Sequence, residues 1–191
     1  MTLCACPSRS CGGRVAVYQT VATDFSAFAA GTISAFGGVS DTTVGLEPFD
    51  NCGTVYLQSA GEEEGAGTVY VRNARTSICD NAKTGGVDLP VTNACPDKVS
   101  AYKDTTFDLA DGGVLFITCD VMIGELELAA NTRVNLNGYT LTIVLLKHKK
   151  GKGWPSNWNA KSSPLVVPGT DADGNPGKIV WMPRGLMIMV K

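Results

Sequence analysis

Short runs in which apolar and polar residues alternate recur along the chain, and helical periodicity is almost absent. Runs of five to eight residues enriched in β-branched and aromatic side chains predict strands. The sole helix-like run, at 23–30, is short. The strand-like runs are 14–21 (RVAVYQTV), 31–38 (GTISAFGG), 53–59 (GTVYLQS), 67–73 (GTVYVRN), 112–120 (GGVLFITCD), 123–130 (IGELELAA), 132–138 (TRVNLNG), 139–146 (YTLTIVLL), 177–183 (GKIVWMP) and 185–191 (GLMIMVK). The pattern predicts an all-β protein.

The spacing of these runs suits two architectures. Gly-Thr-Val-Tyr at Gly53 returns at Gly67, and a similar run opens at Gly31. Short strands separated by glycine corners are typical of a β-solenoid, in which each strand stacks on the next coil. The same runs suit a β-sandwich of antiparallel hairpins. Asn137-Gly138 is a strong hairpin turn and keeps this alternative open.

Alternation predicts which aliphatic side chains are buried, because successive residues of a strand point to opposite faces. The residues expected to point inward are Val15, Val17, Ile33, Val55, Leu57, Val69, Val71, Leu126, Leu128, Val134, Leu136, Leu141 and Ile143.

Length and composition fit one domain that does not need disulfides or bound metals to fold. The chain has 191 residues, a net charge of -2 and a charged fraction of only 18%. This balance argues against nucleic acid as a partner, and no run is apolar for long enough to predict a membrane span. We expect a single domain over 1–191. It comprises a glycine-rich strand block at 12–73, a connection containing Cys, Asp and Pro at 74–106, and a second strand block at 107–191.

The seven cysteines match no metal pattern, since no C-x-x-C is present and His148 is the one histidine. They are either buried thiols or disulfides, and disulfides would be favoured in an exported protein. The sequence predicts no cofactor and no metal centre.

A basic loop predicted at 147–161 is the candidate ligand-binding segment. It carries Trp154 and Trp158 together with Lys149, Lys150 and Lys152. Tryptophan faces suit sugar rings, and lysines attract the sulfates or carboxylates of an anionic polysaccharide. The alternative is a solvated loop whose tryptophans cover one end of the fold.

Candidate calcium ligands occur at Asp171, Asp173 and Asn175, whose alternate spacing is that of the first ligands of a calcium loop. Pro176 stands where such a loop needs glycine, so a tight turn is the better interpretation.

No pattern of catalytic residues emerges. Glu62, Glu63 and Glu64 are adjacent, whereas a glycosidase holds two carboxylates on opposite sides of one bond. The sequence also lacks a nucleophile motif, and it therefore favours a protein that is not an enzyme.

The runs at 126–143 (LELAANTRVNLNGYTLTI) and 11–73 resemble the glycine-rich blocks of large, repetitive bacterial surface proteins of the adhesin-like class. The resemblance implies a right-handed parallel β-helix and supplies no catalytic residues. Cys11 and Cys52 stand where such blocks usually have glycine, serine or alanine. Two thiols lining adjacent coils or a Cys11–Cys52 disulfide would account for this departure.

Together these features predict a non-catalytic structural or adhesive segment of an exported β-solenoid protein, extracellular or at the cell surface. A carbohydrate-binding or carbohydrate-active module is the alternative, and a phage or capsid-associated solenoid is a third. The first residues do not resemble a signal peptide, so we expect a fragment of a longer protein. Self-association through the end strands is a further expectation, because open strand edges favour it.

Overall fold

The computed structural model describes residues 13–21, 25, 33–35, 52–73, 86–89, 99–144 and 165–182. Within these ranges the chain forms eleven strands and no helix. The strands are β1 Arg14–Tyr18, β2 Gly53–Gln58, β3 Thr68–Arg72, β4 Val87–Leu89, β5 Val99–Leu109, β6 Val114–Ile117, β7 Val121–Leu128, β8 Arg133–Asn135, β9 Thr140–Ile143, β10 Val166–Val167 and β11 Lys178–Trp181.

The strands form two sheets. The larger sheet has seven strands in the order β1-β2-β3-β5-β7-β9-β11, and the smaller has four in the order β10-β8-β6-β4. From β4 onward, consecutive strands alternate between the sheets. The smaller sheet is parallel, whereas the larger one is mixed, because β2 and β3 pair antiparallel.

This topology corrects the predicted right-handed parallel β-helix, which is wrong. In a solenoid the second Gly-Thr-Val-Tyr run would lie parallel to the first on the next coil. The structure instead pairs the runs as a hairpin, with Tyr56 opposite Val69. The chain reverses in the glutamate-rich loop, where Glu62 and Ala66 donate backbone hydrogen bonds to Ser59 and Glu63. The alternative sandwich of antiparallel hairpins is also wrong, because every other described strand pairing is parallel.

The hydrophobic core draws aliphatic side chains from both sheets. Of the residues predicted to point inward, Val71, Leu126, Leu128, Val134, Leu136, Leu141 and Ile143 are buried in the core, which confirms that part of the prediction. Val55 is also buried, but it is opposite Tyr70 and therefore lies on the other face of the larger sheet from Val71. Val17, Ile33, Leu57 and Val69 are half-buried. For Val15 the prediction is wrong, since 36% of it is exposed. The reason is its position on β1, the outermost strand of the larger sheet.

Candidate functional site

A groove of about 630 Å³ lies at the β1 end of the larger sheet. Strands β1, β2, β3 and β5 contribute to it, together with the loop between β2 and β3. The side chains that give it its chemistry are Tyr18, Tyr56, Gln58, Glu64, Val69 and Tyr102.

The groove continues the core side of the larger sheet. Tyr56 pairs with Val69, so the two side chains share a face, and Val69 packs against the core. Tyr102 also packs against the core. Among the described strands the smaller sheet has four and the larger has seven. No described residue of the smaller sheet lines the groove.

Hydrogen bonds hold the groove wall in place. The Tyr56 hydroxyl donates to Gln58 Oε1 at 2.6 Å and accepts from the Gly67 amide at 3.1 Å. Gln58 Oε1 also accepts from the Gly65 amide at 3.3 Å, and the Thr105 hydroxyl donates to the Gly65 carbonyl at 2.6 Å. These bonds fix the Tyr56 ring and tie the hairpin loop to β5, so the groove is preformed.

Two tyrosine rings meet edge to face at the outer end of the groove. The Tyr18 and Tyr56 ring centroids lie 5.6 Å apart at an interplanar angle of 60°. Tyr18 is 62% exposed, so most of its ring faces solvent. Burial raises the pKa of the Tyr56 hydroxyl, and the charges of Glu62 and Glu64 add to that increase. Tyr56 is therefore a neutral phenol around neutral pH, and its ring offers an apolar contact surface.

A separate cluster of charged side chains, on the opposite face of the larger sheet, links β3 to β5. Arg72 Nη2 lies 3.0 Å from Asp108 Oδ2, and Nη1 donates to the Asp108 carbonyl at 2.6 Å. Arg72 also lies 3.7 Å from Asp111 and 5.2 Å over the Tyr70 ring. Burial and the charge of Asp108 raise the pKa of Tyr70. Because both carboxylates contact the Arg72 guanidinium, we assign the cluster a structural role.

The predicted calcium ligands form a turn around Asp171. Its Oδ1 accepts hydrogen bonds from the Asn175 and Asp173 amides at 2.7 Å and 3.0 Å, and its Oδ2 accepts one from Asn175 Nδ2 at 3.0 Å. The Asp171 carboxylate therefore already has hydrogen-bond partners within the turn. Among the described residues, no three His, Cys, Asp or Glu side chains gather as metal ligands would.

The Asp171 turn makes a pH-dependent contribution to stability. Hydrogen bonds from Asn175 lower the pKa of Asp171 below the ordinary 3.8, and those from Asp173 and Gly174 act in the same direction. Because the folded-state pKa is the lower one, the contribution is present above 3.8 and is lost as the pH falls through the folded value. In an NMR titration of the side-chain carboxyl carbon, we expect a midpoint below 3.8. Asn175→Ala should return the midpoint toward 3.8, and an unchanged midpoint would contradict this assignment.

The cysteine predictions fall partly within the described residues. Cys119 is in a disulfide whose other half lies outside them. Cys52 is buried, and its sulfur accepts a hydrogen bond from the Val114 amide at 3.3 Å. Cys11 lies outside the described residues, so the Cys11–Cys52 disulfide stays a prediction.

The predicted polysaccharide-binding residues also lie outside the described residues. These are Trp154, Trp158, Lys149, Lys150 and Lys152. Sequence reasoning missed the tyrosines of the groove. The available signal was that Tyr18 and Tyr56 each lie in a strand-like run, and it becomes informative only when those two runs are known to pair.

No protein-family model, curated protein or solved structure matches the chain. In the described part of the chain, no helix is long and apolar enough to cross a membrane.

Proposed function

We propose that the protein is a non-catalytic, adhesive segment of an exported cell-surface protein, and that it binds a carbohydrate chain in the tyrosine groove. The observation that carries the proposal is the groove itself. It combines the rings of Tyr18, Tyr56 and Tyr102 with the polar groups of Gln58 and Glu64. Sugars present apolar ring faces and peripheral hydroxyls, and aromatic rings beside amide and carboxylate groups complement both.

The geometry supports binding over catalysis. The Tyr56 hydroxyl and the Gln58 carbonyl oxygen are engaged in holding the hairpin loop. A raised pKa makes the Tyr56 hydroxyl a poor general base near neutral pH. The Tyr56 hydroxyl and the Gln58 carbonyl oxygen therefore maintain the shape of the groove wall.

The disulfide at Cys119 supports export, because disulfides form and persist in oxidising compartments such as the extracellular space. An adhesive segment at the cell surface would work in that environment.

Loss of one exposed ring should weaken carbohydrate binding. Tyr18→Ala removes a ring that is 62% exposed, so it should leave the fold intact. We expect affinity for a bound oligosaccharide to fall roughly fivefold to tenfold, because one such aromatic contact contributes about 1 kcal/mol. Calorimetric titration with neutral, amino-bearing and uronic acid oligosaccharides measures the effect.

Tyr70→Ala is the matched control, because Tyr70 occupies the equivalent place in the second Gly-Thr-Val-Tyr run but lies on the opposite face. It should leave affinity unchanged. If no oligosaccharide binds, or if both variants weaken binding equally, the proposed function is wrong.

A further inference from the structure

The charge of the groove indicates the sign of charge that its ligand should carry. Of the described residues that line it, Glu64 alone is charged at neutral pH. Glu62 and Glu63 are exposed in the same loop, and the Glu62 carboxylate accepts a hydrogen bond from the Ser59 amide at 2.8 Å. An anionic chain would meet repulsion here, whereas a cationic chain would be attracted.

Among the described residues, no positively charged side chain lines the groove. Lys103 follows Tyr102 on β5, but it does not line the groove, and its ammonium lies 3.9 Å from the Asp104 carboxylate. Arg14 stands at the far end of β1 from Tyr18. Within the described part of the chain, the tyrosine corner and the Glu64 carboxylate therefore carry a net negative charge.

The ring arrangement suits a cation in its own right. Rings inclined at 60° present a corner in which a positive group can lie near a ring face and remain beside a carboxylate. Attraction between a cation and an aromatic face is strongest when the cation is partly desolvated, as it is in a groove. The charge of Glu64 is felt at the Tyr56 hydroxyl, which places the carboxylate and this ring in one electrostatic environment.

The shape suits a chain. The groove runs across β1, β2, β3 and β5, which at the usual spacing of strands is about 14 Å. Val69, Ala101 and Tyr102 supply apolar contacts along it. A polymer could place one unit at the tyrosine corner and its neighbours along the strands.

We propose that the groove selects an amino-bearing sugar chain, with Glu64 pairing with the ammonium group and Tyr18 and Tyr56 enclosing it. This inference rests on the proposed function, since it assumes a carbohydrate ligand and adds the sign of its charge. Glu64 is thus the residue that sets specificity.

The test compares matched chains of equal length by calorimetric titration at mildly acidic pH and low salt. The probes are a glucosamine oligomer, its N-acetylated counterpart, a galacturonate oligomer and a lysine oligomer. We expect the glucosamine chain to bind more tightly than the acetylated chain and the galacturonate chain to bind weakest. Glu64→Gln should lower the preference for glucosamine over the acetylated chain about fivefold, as an exposed ion pair allows. Added salt should lower it likewise.

Glu63→Gln is the control, since it removes the same charge from the same exposed loop at a position that does not line the groove. It should change the preference less than Glu64→Gln does. If both sugar chains bind equally and Glu64→Gln has no effect, the inference is overturned and the proposed function stands. Binding of the lysine oligomer without either sugar chain, or no binding at all, overturns both.

Discussion

Leu136→Ala should lower the free energy of unfolding by about 2–5 kcal/mol, the usual cost of truncating a fully buried leucine. Leu136 directly follows β8 and is 1% exposed. Its amide donates to the Val167 carbonyl at 2.9 Å, so the backbone cannot easily shift to fill the cavity. Urea unfolding followed by circular dichroism measures the loss.

Two further variants make this result interpretable. Val180→Ala truncates an aliphatic side chain on the outermost strand β11, where 38% of the residue is exposed, and it should cost at most about 1 kcal/mol. Leu136→Met nearly conserves volume and should cost less than about 1.5 kcal/mol, so it remains measurable if the alanine variant does not fold. Equal losses for Leu136→Ala and Val180→Ala would show that Leu136 lies outside the core.

Alternation along the chain predicted eight of the eleven described strands and part of the core, but it missed β4, β5 and β10. Leu141 and Ile143 alternate with threonines, and both are fully buried. The two-residue period is a local property of each strand and is written directly in the sequence. Burial also depends on what covers a strand. Val15 is therefore exposed on the outermost strand, although it fits the alternating pattern.

Strand pairing could not be predicted in the same way. Both Gly-Thr-Val-Tyr runs form strands, but nothing within either run states whether its partner is parallel or antiparallel. The antiparallel pairing places Tyr56 opposite Val69 and Tyr70 opposite Val55. The two tyrosines of the repeat therefore lie on opposite faces, one in the groove and the other against Arg72. The two copies of the repeated sequence therefore place their tyrosines in different environments.

The groove was beyond sequence reasoning for the same reason. Tyr18 and Tyr102 are far apart in the chain, and both line the groove only because β1, β2, β3 and β5 are consecutive in the sheet. The basic Trp-containing segment at 147–161 could be proposed as a binding site from the sequence because its composition is a local property. A surface assembled from four strands has no compositional signature.

The sequence correctly indicated a tight turn at Asn137-Gly138, but it did not indicate which strands this turn connects. Both residues have positive φ, 50° and 88°, and the Tyr139 amide donates to the Leu136 carbonyl at 2.8 Å, as in a tight hairpin turn. Here, however, the turn joins β8 of the smaller sheet to β9 of the larger one. Asn137 Nδ2 donates to the Ile117 carbonyl at 3.0 Å, and the Gly138 amide donates to the Pro168 carbonyl at 2.9 Å. Contacts with other parts of the chain thus place this hairpin-type turn between strands of two different sheets.

Gly138→Ala should consequently destabilise the protein by more than its backbone conformation alone requires. A Cβ atom at this position would lie against the Asp171 amide nitrogen and 2.5 Å from the Thr170 carbonyl carbon. These are backbone atoms, so two corners of the fold must separate. We expect a loss of about 2–5 kcal/mol, combining about 1–2 for the left-handed conformation with about 1–3 for overpacking.

Gly174→Ala separates the two causes. Gly174 has a similar φ of 83°, but nothing lies within 4 Å of a Cβ atom built there. Its substitution should cost only the conformational part, about 1–2 kcal/mol, in the same urea unfolding experiment. The difference between the variants measures the contact between the Asn137-Gly138 corner and the Thr170-Asp171 segment. Equal losses would mean that these segments do not touch, and the packing of β8 and β9 against the following strands would need revision.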